Sequence, residues 1–136
     1  PDLTHIPRTK RGVISYSARD IAERLNARAL VAFTTSGDTA KRLARLHSHL
    51  PLLVFTPNEA VRSELALTWG ATTFLCPPVS DTDDMMREVD RALLAMPEYN
   101  KGDMMVVVAG SPPGVTGNTN MIHVHLLGDD TRIAKL

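Results

Sequence analysis

Short apolar runs alternate with amphipathic stretches along this chain. Ala29-Leu30-Val31-Ala32-Phe33, Leu52-Leu53-Val54-Phe55 and Met104-Met105-Val106-Val107-Val108-Ala109 are unbroken apolar runs, the pattern of strands buried on both faces. Thr72-Thr73-Phe74-Leu75-Cys76 predicts a further strand, stopped by Pro77-Pro78. Helical spacing fills the intervals. Ala18, Ile21, Ala22 and Leu25 fall at i, i+3, i+4 and i+7 and line one face of a first helix, with Ser15 or Ser17 placed to cap it. A second helix runs from about Thr39 to Leu46. Asn58 caps a third, whose apolar positions include Val61, Leu65 and Thr68 and which Gly70 ends. A fourth starts near Asp81, with Asp83 and Asp84 where the helix dipole favours anions, and its core stripe is Met86, Val89, Leu93 and Met96.

Strands separated by single helices imply right-handed crossovers and a parallel sheet. The last element breaks this rule. Residues 110–120 hold no helical pattern, so the strand from Met121 to Leu127 is expected to run antiparallel to its neighbour. It alternates, with Ile122, Val124 and Leu126 on one face and His123 and His125 on the other, and reads as a strand near the sheet's edge. The fold class is therefore α/β: a three-layer sandwich with a mostly parallel five-stranded sheet, an antiparallel last strand, and helices on both faces. Residues 1–12, with two prolines, three Lys or Arg residues, a histidine and no apolar period, read as a linker or domain junction, and residues 13–136 as one domain.

Composition narrows the class of function. The chain has 136 residues, 43% hydrophobic and 22% charged, which is ordinary globular composition. No apolar run approaches a bilayer span, and no basic-then-apolar leader opens the chain at Pro1, so neither a membrane protein nor a secretory precursor is expected. The single cysteine, Cys76, excludes an internal disulfide and a multi-cysteine metal cage, and a reducing cytoplasmic setting fits best. Fifteen basic residues balance fifteen acidic ones, and only six residues are aromatic, which argues against a nucleic-acid surface. The zero net charge hides a split: residues 1–70 carry ten basic and six acidic residues, a net +4, and residues 71–136 carry a net −4.

Three segments carry candidate chemistry. Thr34-Thr35-Ser36-Gly37-Asp38-Thr39 joins the first strand to the second helix, where open parallel sheets bind ligands. Hydroxyls, a glycine and a helix N-terminus with free amides suit a phosphate, and Lys41, Arg42 and Arg45 follow on the helix. The same residues equally describe an ordinary helix start with Asp38 or Thr39 as N-cap. The segment is not a Walker motif, since the Gly-Lys-Ser/Thr core is absent. The second candidate is the loop of residues 110–120, long enough to fold over a ligand held by the first. The third is His123-x-His125. Two histidines at i, i+2 could share a metal, but only Asp129 and Asp130 lie near in sequence, and a solvated or interface face is the expectation. No metal site is expected. Cys76 reads as a small buried hydrophobe, and the methionines as core filler.

Several segments, in order, resemble the C-terminal domain of pyruvate kinase. Residues 12–20, Gly-Val-Ile-Ser-Tyr-Ser-Ala-Arg-Asp, look like the helix entering that domain. Phe33-Thr34-Thr35-Ser36-Gly37-Asp38-Thr39-Ala40 is similar to the family's Thr-x-Ser-Gly effector loop. Residues 52–58 match its next strand and turn. Lys101-Gly102-Asp103 before an apolar run and Ala109-Gly110 resembles the last parallel strand, and Asn118-Thr119-Asn120 resembles the final loop.

The resemblance implies a regulatory piece of a phosphotransferase. The family's active site, where phosphoenolpyruvate, ADP, Mg²⁺ and K⁺ meet, lies in a barrel of about 250 residues that this chain lacks, so no kinase activity and no cofactor are expected of the chain alone. The C-terminal domain of the family binds phosphorylated effectors and contributes to a tetramer interface. Carried over by position, Thr34, Thr35, Ser36, Gly37, Asp38 and Thr39 form the effector loop, with Ser36, Gly37 and Thr39 on the phosphate. Gly114, Val115, Thr116, Gly117 and Asn118 close over it. Members activated by fructose bisphosphate carry basic residues where this chain has Thr35 and Asp38, and an arginine for the second phosphate aligns near Met96. A sugar monophosphate or AMP is therefore expected, with Arg42 or Arg45 contributing charge. The strand Met121 to Leu127 is the expected contact between copies of the chain. The competing readings are a free-standing phosphate-ligand enzyme, for which only Asp38 and Cys76 are placed as catalytic residues, and a structural oligomerisation domain without ligand.

Overall fold

The computed structural model describes residues 10–79, 81–109 and 121–128. Nine elements follow in order: α1 (Lys10–Arg24), β1 (Ala29–Phe33), α2 (Asp38–Arg45), β2 (Leu52–Thr56), α3 (Glu59–Trp69), β3 (Thr72–Leu75), α4 (Thr82–Leu94), β4 (Met104–Ala109) and β5 (Met121–Leu126). The strands form one sheet in the order β3-β2-β1-β4-β5. β1 pairs in parallel with β2 and β4, β2 with β3, and β5 runs antiparallel to β4, as the missing crossover helix predicts.

The two sheet faces are covered unequally. On one, Leu30, Ala32, Val54, Val106 and Val108 pack against Ala18 and Ala22 of α1, Ala40 and Leu43 of α2, and Leu65 of α3. On the other, Val31, Phe33, Leu53, Phe55, Met105 and Val107 meet Met85, Met86, Val89 and Leu93 of α4. This division follows from handedness. Moving outward from β1 to β2 to β3, right-handed crossovers keep α2 and α3 on one face; returning from β3 past β1 to β4 puts α4 on the other. The reversal lies between β1 and β4, so the crevice favoured for ligands opens at the carboxyl ends of those two strands.

Local expectations need adjusting at several points. α1 begins at Lys10, inside the stretch expected to be linker, so Ser15 and Ser17 lie within the helix rather than at its cap. Ser15 Oγ is buried without a hydrogen-bond partner among the described residues. Leu25 follows the last helical residue and is 48% exposed, because the chain turns at Asn26, φ 54°. In α3 only Leu65 is buried and Thr68 is exposed, since α3 packs at the β3 edge of the sheet. The N-cap of α2 is Gly37, not Asp38 or Thr39.

β5 presents the larger correction. Its histidine face is the inner one: His125 is 2% exposed, whereas Val124 and Leu126 are 43% and 41% exposed. α4 covers the face that carries the histidines and supplies Asp90, which lies 2.7 Å from His125. The polar residues therefore turn inward to a partner, and two of the three apolar ones are left at the edge.

Candidate functional site

The loop between β1 and α2 is held by its own hydroxyls. Thr34 extends the parallel pairing, its N–H donating to Phe55 O at 3.0 Å. Thr34 Oγ1 then accepts the N–H of Gly37 at 2.8 Å, and Ser36 Oγ accepts that of Asp38 at 3.3 Å. Gly37 adopts φ 95°, ψ −8°, the left-handed region that glycine enters without cost. A Cβ on it would also lie 3.3 Å from Val61 Cγ1, so α3 closes the space where a side chain would go.

The consequence is an N-cap residue, Gly37, that makes no side-chain hydrogen bond, while the first helical amide, that of Asp38, is taken by Ser36 Oγ. At α3, Asn58 Oδ1 accepts the N–H groups of Ala60 and Val61 at 3.0 and 3.2 Å, and at α4, Asp81 Oδ1 accepts that of Asp84 at 2.8 Å. No side-chain hydrogen bond caps α2 at Gly37. The aligned peptide dipoles place roughly half a positive charge at such an end, and it lies at the carboxyl edge of β1 beside the switch point. Thr35, Ser36 and Asp38 around it are half-buried, and Thr39 is buried.

The basic residues of α2 separate. Lys41 pairs with Glu64 of α3 at 2.5 Å. Arg45 lies in the last turn, about 10 Å along the axis from Asp38 by helical rise, with its guanidinium 5.5 Å from the centre of the Trp69 ring. Arg42 is half-buried, and its Nε has no hydrogen-bond partner among the described residues. Arg42 thus stands nearer the loop than Arg45 and is less committed to a neighbour than Lys41. Met96, placed by resemblance at a second phosphate position, follows the C-terminal end of α4 and packs against the core at the opposite edge of the sheet.

Gly114, Val115, Thr116, Gly117 and Asn118 lie outside the described residues. The described ends of that segment are informative: Ala109 pairs with Met121, and Ala32 with Val108. Ala109 and Met121 therefore lie at the carboxyl edge of β4, next to the end of β1 that Thr34 follows.

Cys76 is 7% exposed, and burial, with Glu88 adding to it, pushes its thiol up to about 11. It is a protonated thiol at neutral pH rather than a nucleophile. Among the described residues no three of His, Cys, Asp and Glu are placed to hold a metal ion, and no helix is long and apolar enough to cross a membrane. Sequence reasoning missed the His125–Asp90 pair; the one available signal was that Leu127, two residues on and 1% exposed, shares the histidine face.

Comparison with known proteins agrees with this architecture. Residues 13–125 match the family described as pyruvate kinase, alpha/beta domain. The chain is 99% identical over 136 residues to a pyruvate kinase of Corynebacterium glutamicum, covering all of this chain and 29% of that protein. It is 64% identical over 130 residues to a pyruvate kinase of Mycobacterium tuberculosis, covering 96% of this chain and 28% of that one. A pyruvate kinase of Geobacillus stearothermophilus is 37% identical over 116 residues, covering 85% and 20%. The chain thus spans under a third of the length of these relatives. By sequence and by fold it belongs to the pyruvate kinase alpha/beta domain family and corresponds to the C-terminal domain of those enzymes.

Proposed function

We propose that this chain is the regulatory domain of a pyruvate kinase and binds the phosphate of a small effector at the N-terminus of α2. The observation that carries this reading is the contrast between helix starts: α3 and α4 are capped by side chains, whereas α2 begins at a left-handed glycine with no side-chain cap, beside the switch point of the sheet. Ser36, Gly37 and Thr39 supply hydroxyls and amides, the phosphate replacing Thr34 Oγ1 on the Gly37 amide and the Asp38 amide on Ser36 Oγ; Arg42 supplies charge, and residues 114–118 cover the ligand. The effector is a sugar monophosphate or AMP rather than fructose bisphosphate. Asp38 stands beside the loop, and by resemblance Thr35 and Met96 stand where the binding of a bisphosphate would call on basic residues.

Catalysis, the transfer of phosphate from phosphoenolpyruvate to ADP, belongs to a barrel outside this chain, as do Mg²⁺ and K⁺. The isolated chain is expected to show no turnover of phosphoenolpyruvate and ADP. Calorimetric titration with glucose 6-phosphate, AMP and fructose bisphosphate tests the effector reading; tight binding of the bisphosphate would refute it.

Assembly through β5 is the second part of the proposal. β5 is an edge strand, and Val124 and Leu126 leave its outer face apolar and exposed. Such an edge favours pairing with a second copy. The domain works in the cytoplasm, with no membrane or nucleic-acid partner.

A further inference from the structure

The first turn of α2 carries a lysine set between the loop and α3. The N–H of Lys41 donates to Gly37 O at 3.0 Å, and helical side chains lean toward the N-terminus, so Lys41 reaches back over the helix start. A Cβ on Gly37 would lie 3.7 Å from Lys41 Cε, with Val61 Cγ1 at 3.3 Å and Leu65 Cδ2 at 3.9 Å. The carbon stem of Lys41 thus packs against the loop glycine on the side that α3 closes. Its Nζ lies 2.5 Å from Glu64 Oε1. The two partners are held unequally. Lys41 shows 26% of its side chain to solvent and Glu64 shows 51%, so the lysine is the packed member and the glutamate the loose one.

The other cations of α2 are placed differently. Arg45 stands in the last turn, with its guanidinium against the Trp69 ring. Arg42 follows Lys41 by one residue and is turned about 100° round the helix from it. Lys41 instead has its Cε against the loop itself.

We propose that Lys41 is a contested cation, claimed both by Glu64 of α3 and by a phosphate on the loop, a competition that rests on the phosphate reading of that loop. The ammonium is one bond beyond Cε, so turning about the Cδ–Cε bond carries it from one claimant toward the other while the stem stays packed. Glu64, when released, is already largely in water. An exposed ion pair favours its closed form only severalfold, whereas a phosphate beside the Gly37 and Asp38 amides offers a charge-assisted bond to a dianion. The exchange reaches beyond the loop. Lys41–Glu64 ties α2 to α3, so a bound phosphate removes that tie and leaves Val61 and Leu65 against Gly37 and Arg45 on Trp69. α3 lies over β3, the edge strand farthest from β5, and occupancy of the loop is thereby passed to that edge of the sheet.

Calorimetric titration with inorganic phosphate, AMP and glucose 6-phosphate tests the competition on four chains: wild type, Glu64→Gln, Lys41→Met and the double variant. Glu64→Gln is expected to tighten binding about two- to fivefold, the worth of an exposed pair. Lys41→Met is expected to weaken it about tenfold. In the Lys41→Met background Glu64→Gln is expected to leave the affinity unchanged. Unchanged or weaker binding in Glu64→Gln overturns the competition, as does unchanged binding in Lys41→Met. Equal tightening with and without Lys41 also overturns it, because it reports only a negative charge removed from the neighbourhood. If the wild-type chain binds and the variants match it, the competition alone falls. If none of the four chains binds any of the three anions, the phosphate reading falls and the competition with it.

Discussion

At Gly37 the backbone sits at φ 95°, and the space a Cβ would need is taken by Val61 Cγ1. A non-glycine residue in the left-handed region costs about 1–2 kcal/mol. Gly37→Ala is therefore expected to lower stability by about that amount in denaturant titration and to weaken phosphate binding by displacing the first amides of α2. Ser15 is the opposite case. Its hydroxyl is 1% exposed and unpartnered, so Ser15→Ala removes a buried polar group and improves helix propensity. The expected result is a gain of up to about 1 kcal/mol in the same titration; a loss would mean the hydroxyl has a partner. Cys76, with a thiol at about 11, is expected to alkylate with a rate that climbs through pH 9–10 (approximate limits) without a plateau. Ser15 stands three and seven residues before Ala18 and Ala22, on their face of the helix, so its burial follows once α1 is known to begin at Lys10; read as a helix cap, it is expected at the surface. Cys76 is legible, since it ends an apolar run before two prolines.

Among the elements, the parallel strands declare themselves through unbroken apolar runs, and the helices through caps such as Asn58 and Asp81. β5 does not. Alternation separates its two faces correctly but does not say which one α4 covers. What decides it is Asp90, thirty-five residues away in sequence, and no local pattern links the two. Asp90→Ala strands a buried imidazole and a backbone N–H together, and it is expected to cost about 1–3 kcal/mol in thermal or denaturant unfolding. Asp90→Asn keeps an acceptor and is expected to cost less. Equal losses for the two variants would mean that the carboxylate charge, not the hydrogen bonds, holds the strand. The start of α1 was equally hard to read: Lys10 to Gly12 carry no apolar spacing, and the helix reaches them by continuing the register that Ala18 and Ala22 fix against the sheet.

In the molecule as a whole, the candidate phosphate loop sits where the strand order reverses; that it follows a strand's carboxyl end is legible in the alternation of strands and helices, whereas the order of the strands in the sheet is not. The division of the basic residues was not, because Lys41–Glu64 and Arg45–Trp69 are contacts between α2 and α3. Edge pairing is also a property of this scale. Val124→Lys combined with Leu126→Lys is expected to shift sedimentation toward monomer at high concentration, and a wild-type chain that is monomeric throughout would exclude pairing through β5. The most direct test of the central claim is calorimetric titration of the chain with AMP, glucose 6-phosphate and fructose bisphosphate, repeated on Gly37→Ala. The expected result is saturable one-to-one binding of a monophosphate that weakens markedly in the variant. No heat from either monophosphate, or tighter binding of the bisphosphate, would contradict it.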